Sequence, residues 1–238
     1  MLPEPAAGLN GWGFLCALPR ECATLTGVTR PVGASWVFAA DMRVAVTGMG
    51  AAAAAAGAQR LVDEGARGLV SWGTCGGLDP QRQPGDVIIA TSVTDATGRH
   101  YPVDEPSSRR VQERAAVCVA RGALVTAGAV VAGVDAKRML RARSGACAVD
   151  MESAAIAAVA ARSGRPFMAI RAVVDAAQAA LPRAVTAAVQ ADGDLAWAVF
   201  FRQLGWSWRA WREVAVLMRS AHKAERALRV LARDLALL

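Results

Sequence analysis

Between Ala146 and Ala177 the chain reads ACAVDMESAAIAAVAARSGRPFMAIRAVVDAA, and this stretch constrains the fold more than any other. A short apolar run, Cys147 to Val149, enters Asp150-Met151-Glu152-Ser153. The alanine-rich run that follows to Arg162 carries strong helix formers and almost no breakers. Gly164 stands where a helix C-terminal cap belongs, and Pro166 stops any continuation. Phe167 to Ile170 opens a second apolar run, which closes on Arg171-Ala172-Val173-Val174-Asp175. Strand, helix, strand is the crossover unit of a parallel sheet, and in such sheets ligands bind at the carboxyl ends of strands. That rule puts Glu152 and Asp175 on one rim with Arg171, and two carboxylates converging with an arginine suggest a site.

Other segments share this grammar. Leu69 to Ala90, LVSWGTCGGLDPQRQPGDVIIA, reads as a strand, a glycine-rich turn, and Pro84-Gly85-Asp86 leading into another strand. Glycines there let backbone N–H groups come close to an anion or a sugar. Gly13 to Leu18 reads as a first strand, followed by Pro19-Arg20-Glu21. Val44 to Thr47 is another, ending in the turn Gly48-Met49-Gly50 before a helix from Ala51 to Val62. Ala123 to Gly133 reads as a later strand, and the polar stretch Thr94 to Ser108 as a surface loop containing His100 and Tyr101. Taken singly, each signal is explained as well by a tight turn or a helix-capping acid.

Together the segments resemble the superfamily of nucleoside phosphorylases and nucleosidases, which cleave the ribose–base bond of purine nucleosides. DMES followed by RxxxD carries the resemblance, and WGTCGGLDPQRQPGDVII is similar to the family's GTxGGLxxxxxxGDVVI segment. Ala17-Leu18-Pro19-Arg20-Glu21 matches the AMxxE segment of the nucleosidases. The resemblance implies a single-domain three-layer α/β/α sandwich over residues 1–195, with 196–238 a basic amphipathic helical extension. The extension is read from its own charge and apolar pattern, whereas the resemblance implies that Glu152 binds ribose hydroxyls with Met151 packed on the sugar, and that Asp175 is the general acid toward purine N7. Glu21 would be the general base or nucleophile-positioning group, with Arg171 orienting the nucleophile. Thr74, Gly48 and Gly50 would lie on the nucleophile side, Cys75 and Gly76 on the base side. Val130 would stand near the position where nucleosidases stack an aromatic on the base. The chemistry agrees: an adenine anion leaves poorly, so a proton at N7 lowers the barrier, and carboxylates favour a ribose that becomes oxocarbenium-like.

Three positions before Thr74, where hexameric phosphorylases carry a phosphate-gripping arginine, this chain has Ser71. The nucleophile therefore stays open between inorganic phosphate, the one co-substrate implied, and water. No cofactor is expected, and no metal, because the five cysteines are scattered and there are only two histidines. The start lacks a basic n-region and has two early prolines, which reads as a cytoplasmic protein.

The carboxyl-terminal end is different in character. Trp197, Phe200, Phe201, Leu204, Trp208, Trp211, Ala215 and Met218 follow a helical stripe. Leu217, Ala221, Ala224, Leu228, Leu231, Leu235 and Leu238 form a second. Eight Lys/Arg and three Asp/Glu lie beyond Ala196, which concentrates the chain's net charge of +7 in this tail. Such a helix is either interfacial, at the inner face of the cytoplasmic membrane, or a final helix packed on the sheet. With the tail, SWGTCGGLDPQ and DMES make the chain similar to the hopanoid-associated phosphorylases, which remove adenine from adenosylhopane, and that resemblance puts phosphorolysis to a ribose 1-phosphate first despite Ser71. The resemblance implies an adenine nucleoside substrate, lipid-linked, and a homodimer or hexamer. Methylthioadenosine/S-adenosylhomocysteine-type hydrolysis is the alternative. A nucleic-acid-binding module, suggested by basic charge with tryptophans, is outweighed because the charge is confined to one tail whose tryptophans follow the apolar stripe.

Overall fold

In a computed structural model of the protein, residues 8–39, 41–188, 208–235 and 237 are described. The elements among them are β1 (Gly13–Cys16), α1 (Pro19–Thr26), β2 (Ser35–Ala39), β3 (Met42–Val46), α2 (Ala51–Asp63), β4 (Leu69–Gly77), β5 (Val87–Thr94) and β6 (His100–Pro102). They continue with α3 (Glu105–Arg114), β7 (Val119–Thr126), α4 (Val134–Ser144), β8 (Ala148–Asp150), α5 (Ser153–Arg162), β9 (Phe167–Asp175), α6 (Arg183–Ala188) and α7 (Trp208–Asp234). Three local expectations are corrected. The strand expected over Ala123 to Gly133 is β7, which starts at Val119 and ends at Thr126. The glycines of GTCGG are not a turn, because β4 runs through them to Gly77 with β9 alongside. The polar stretch after Thr94 is not all loop, because His100 to Pro102 pair antiparallel with β5.

The strands form one mixed sheet in the order β2-β3-β1-β4-β8-β7-β5-β6. β9 lies off that path and pairs with both β4 and β5, parallel to the first and antiparallel to the second. Pairing therefore closes on itself, from β4 through β8, β7, β5 and β9 back to β4. A doubly paired strand has both faces buried and both edges used, which accounts for the nearly unbroken apolar run FMAIRAVV.

Side chains alternate between two cores along each strand, as a pleated backbone requires. Val70, Trp72, Met168 and Ile170 face α1 and α7, whose Cys22, Leu25, Leu228 and Leu231, with Leu235 just beyond α7, complete one core. Leu69, Phe167, Ala169 and Val173 face α2 and α5, joining Ala54, Ala58, Leu61, Ile156 and Val159 in the other. The result is the α/β/α layering of the fold expected, with the sheet curled closed on one side. The register also decides where the site can be. Ser71, Gly73 and Cys75 alternate with Val70 and Trp72, as Arg171 does with Ile170, so they point toward α2 and α5.

Of the two stripes in the tail, the leucine stripe is buried from Ala221 to Leu235 and packs on the sheet. Trp208, Trp211 and Met218 are exposed on the amino-terminal half of α7. Trp197, Phe200, Phe201, Leu204 and Leu238 lie outside the described residues. No helix among the described residues is long and apolar enough to cross a membrane.

Candidate active site

The site is assembled on β4. One edge of this strand is covered by β9 from Leu69 to Gly76. The other edge is held by β1 at Leu69 to Ser71 and by β8 only at Gly76 and Gly77. Between these partners the strand changes neighbours, and a change of neighbours in an α/β sheet leaves a crevice. In that gap the Thr74 N–H donates to Glu21 Oε1 at 2.8 Å, and the Thr74 hydroxyl donates to the same oxygen at 2.7 Å. Glu21 is held from its other side as well. It sits in the first turn of α1, where Oε2 accepts the Leu18 N–H at 3.1 Å and so caps the helix.

Arg171 pairs with Gly73 across the β4–β9 ladder. A Cβ on Gly73 would lie 2.6 Å from Arg171 Nη1 and 2.8 Å from the Glu21 carboxyl, so only glycine lets the two side chains share that space. Arg171 is 1% exposed. Its Nη2 donates to Ser71 Oγ at 2.6 Å and Ser153 Oγ at 3.1 Å, and pairs with Asp150 Oδ2 at 2.7 Å. Glu152 Oε2 is 3.7 Å away. Burial works against the guanidinium charge, but Asp150, Glu152 and Glu21 outweigh it and hold Arg171 cationic. Asp150 is fixed in turn by the Thr126 hydroxyl at 2.7 Å and the Ser153 N–H at 3.1 Å.

Glu152 reaches from the start of α5 to the start of α2, where Oε1 accepts the Gly50 N–H at 2.9 Å. Gly50 has φ of 91°, a conformation that suits glycine at this turn. Burial pushes the Glu152 carboxyl up to about 7, against the pull of the Arg171 charge; Asp150 adds to the rise and the Gly50 N–H opposes it. A carboxyl so poised changes charge near neutrality.

Asp175 lies four residues beyond Arg171, roughly 13 Å along an extended strand. Its two oxygens stand 3.4 and 3.5 Å from where a Gly76 Cβ would be. Cys75 beside it is 6% exposed, and burial keeps its thiol protonated. The partner of Asp175 is Lys137 of α4, whose Nζ donates to Oδ2 in a short contact and also to the carbonyls of Ala176 at 2.9 Å and Ala179 at 2.8 Å. Burial raises the Asp175 carboxyl, while the Lys137 charge and hydrogen bond pull it down.

Two clusters thus share one ladder. Glu21, Thr74, Arg171, Glu152 and Gly50 meet just past its middle, and Cys75, Gly76 and Asp175 at its carboxyl end. Gly48 donates its N–H to the Ala17 carbonyl at 3.0 Å and shapes the turn beside the first cluster. Met151 is half-buried, and Val130 is 37% exposed on the β7–α4 loop; neither enters the hydrogen-bonded clusters. Sequence reasoning missed Lys137, Asp150, Ser153 and Thr126. The one available signal was rarity, since Lys137 is one of only two lysines in the chain. Among the described residues, no group of His, Cys, Asp and Glu could hold a metal ion.

This arrangement can offer one carboxyl group to a sugar, a carboxylate to a nucleophile, and a further carboxyl to a leaving group. Comparisons with known proteins bear on the family and the fold. The family model described as the phosphorylase superfamily matches residues 16–199. A 5'-methylthioadenosine/S-adenosylhomocysteine nucleosidase of Mycobacterium bovis is 31% identical over 219 residues, covering 70% of this chain and 86% of that protein. Among solved structures, a 5'-methylthioadenosine/S-adenosylhomocysteine nucleosidase from Neisseria meningitidis, in complex with methylthio-immucillin-A, has a TM-score of 0.70 at 18% identity. That likeness covers 94% of this chain and 97% of the other. The futalosine hydrolase of Helicobacter pylori has a TM-score of 0.68 at 18% identity, covering 95% and 98%. At these identities the structural likenesses speak for the fold.

Proposed function

The chain belongs to the phosphorylase superfamily, and from that premise we propose that it cleaves the N-ribosidic bond of an adenine nucleoside with water as the nucleophile. The observation that carries the choice of water is the occupancy of Arg171. This cation donates to two serines and stands among Asp150, Glu152 and Glu21. A phosphate dianion approaching there meets net negative charge, whereas a water molecule meets a carboxylate able to take its proton. Ser71, three positions before Thr74, is fully buried against Arg171 and offers phosphate nothing.

In the proposed reaction Glu152 accepts hydrogen bonds from the ribose hydroxyls and Met151 packs on the sugar. Asp175 gives a proton to purine N7 as the bond to C1′ lengthens. Water attacks C1′ from the side of Thr74, its proton passing to Glu21, with Arg171 setting the orientation. The two clusters lie apart on one ladder, which suits a substrate whose base and nucleophile occupy opposite ends. The same proposal includes a homodimer or hexamer.

For the 5′ substituent, the name of the Mycobacterium bovis relative supports a methylthio or homocysteinyl group. A second reading, a lipid-linked nucleoside such as adenosylhopane, is supported by the outer face of α7. There Trp208, Val216 and Met218 are 83%, 49% and 56% exposed beside Arg212 and Arg219, a combination suited to the inner surface of the cytoplasmic membrane. The test is adenine release from methylthioadenosine and from adenosylhopane, with and without phosphate, while the sugar product is followed. Free ribose product without phosphate is the expected result. Phosphate-dependent release as a ribose 1-phosphate would overturn the choice of water, and no release from either substrate would overturn the reaction.

A further inference from the structure

Lys137 is the only buried residue of α4, whose sequence is VDAKRMLRARS and whose other residues are half-buried or exposed. An ammonium is costly to bury unless each of its protons is answered. Here all three are, by Asp175 Oδ2 and by the carbonyls of Ala176 and Ala179. Three acceptors converging on one atom suit a tetrahedral nitrogen and not a planar guanidinium fork. That accounts for a lysine in a chain where lysine and arginine together number 27 and only one other, Lys223, is lysine. An ammonium differs from a guanidinium in a second way, because it can release a proton. The Lys137 side chain is 1% exposed and that of Asp175 is 12%, so protons reach Lys137 by way of Asp175.

From this geometry we propose that Lys137 is the proton reservoir of Asp175, a positioning residue that charges the general acid for each turnover. The inference rests on the reading of Asp175 given above. When a base fills the site and excludes water, the buried ion pair converts to a neutral pair: a Nζ–H bond of Lys137 breaks and an O–H bond of Asp175 forms. That O–H bond then breaks as N7–H forms, and the electron pair of the ribosidic bond departs with the base. Adenine leaves neutral, Lys137 remains as an amine, and solvent returns its proton through Asp175 once the base has gone. The titratable groups facing Asp175 are Lys137 from α4 and Cys75 from β4, and burial keeps the thiol protonated.

The test is the pH profile of base release. In the wild type the pair holds one transferable proton between Nζ and Oδ2. In Lys137→Gln, which can still donate hydrogen bonds to the carbonyls, Asp175 must hold the proton alone. The basic limb is expected to move to lower pH, with activity approaching wild type on the acid side. If the ammonium were only a clamp, its removal would free Asp175 to stay protonated longer, and the limb would move to higher pH. Either that movement or an unmoved limb overturns the proposal. Lys137→Arg keeps the charge without a releasable proton and is expected to lose on the order of 10²-fold at neutral pH; near-normal turnover there also overturns it. Should neither variant fold, calorimetry of wild-type enzyme with 2′-deoxy-2′-fluoroadenosine, above pH 7 in buffers of differing ionisation enthalpy, decides. Binding without net proton uptake is expected, and uptake of one proton from the buffer overturns the reservoir. Asp175→Asn separates the two levels: if it turns over normally, the general acid itself was misassigned.

Discussion

Gly73→Ala is the perturbation that bears hardest on the Arg171–Glu21 cluster. The added Cβ would lie 2.6 Å from Arg171 Nη1 and 2.8 Å from Glu21 Oε1, well inside ordinary contact. A guanidinium on the surface would swing aside. This one is held by Ser71, Ser153 and Asp150, and Glu21 is tied to Leu18 and Thr74, so neither yields freely. Relief requires displacements of about 0.6–0.8 Å, and a misplacement near 1 Å can cost on the order of 10²-fold in rate. That corresponds to about 2.7 kcal/mol of barrier. Overpacking adds about 1–3 kcal/mol of lost stability, and each kcal/mol lowers the melting temperature by about 2–4 °C for a chain this long. Gly76→Ala is the internal comparison, because its Cβ would meet Val149 Cγ1 at 3.2 Å and Asp175 Oδ2 at 3.4 Å, a tight but tolerable fit. Turnover of adenine release and thermal melting on both variants settle the matter. A Gly73→Ala enzyme with wild-type turnover, or one less affected than Gly76→Ala, would refute the reasoning that Arg171 and Glu21 are locked over that glycine.

Asp150→Asn strips the closest counter-charge from a fully buried Arg171, and breaking such a pair costs about 3–5 kcal/mol; denaturant melts showing less than about 1 kcal/mol would mean that Glu152 and Glu21 suffice. Glu152 carries a pH signature. Because its folded pKa is raised to about 7 from 4.5, mainly by burial, its contribution to stability is present below about 4.5 and is lost as pH rises through 7. Glu152→Gln, neutral throughout, should therefore gain stability relative to wild type across that interval, and a constant difference in melts at several pH values would count against it. Leu228→Ala should cost about 2–5 kcal/mol because this side chain is fully buried under the sheet. Trp208→Ser, at 83% exposure, should change stability by less than about 0.5 kcal/mol, and equal effects of the two would contradict the orientation of α7.

What could be read in advance was whatever local pattern expresses. The run FMAIRAVV announces a strand buried on both faces, and AAAAAAGAQRLV a helix. The meeting of Glu21 with Thr74, 53 residues apart, came from resemblance and not from any periodicity. The glycines of GTCGG were read as a turn because glycine usually marks one; they are strand because β9 lies against them and Arg171, Glu21 and Asp175 crowd their Cα atoms. Lys137 was invisible for the opposite reason. Among Arg138, Arg141 and Arg143 it resembles one more solvated base, and only the carbonyls after β9, some forty residues away, pick it out. Both stripes of the tail were apolar on paper; among the described residues Leu228, Leu231 and Leu235 join the core that holds Trp72 and Met168, while Trp208, Trp211 and Met218 stay exposed.

The double pairing of β9 has a consequence for how the chain acquires its structure. β4 and β5 are neighbours in sequence, yet they do not pair with each other along the ladder that β9 fills. A ribosome that has delivered everything through α5 has made both of these strands and still lacks the one that separates them. Until Phe167–Asp175 arrives, two apolar edges stand open, the condition under which sheets recruit the wrong strand. Contacts of such long sequence separation form slowly. In pulse-labelled hydrogen exchange during refolding, amides of β4 and β5 should gain protection in step with those of β9, and early protection of β4 alone would show that it finds another partner first. The last strand among the described residues is thus also the sheet's keystone, and Arg171 and Asp175, to which the proposed reaction gives its arginine and its acid, ride in on it.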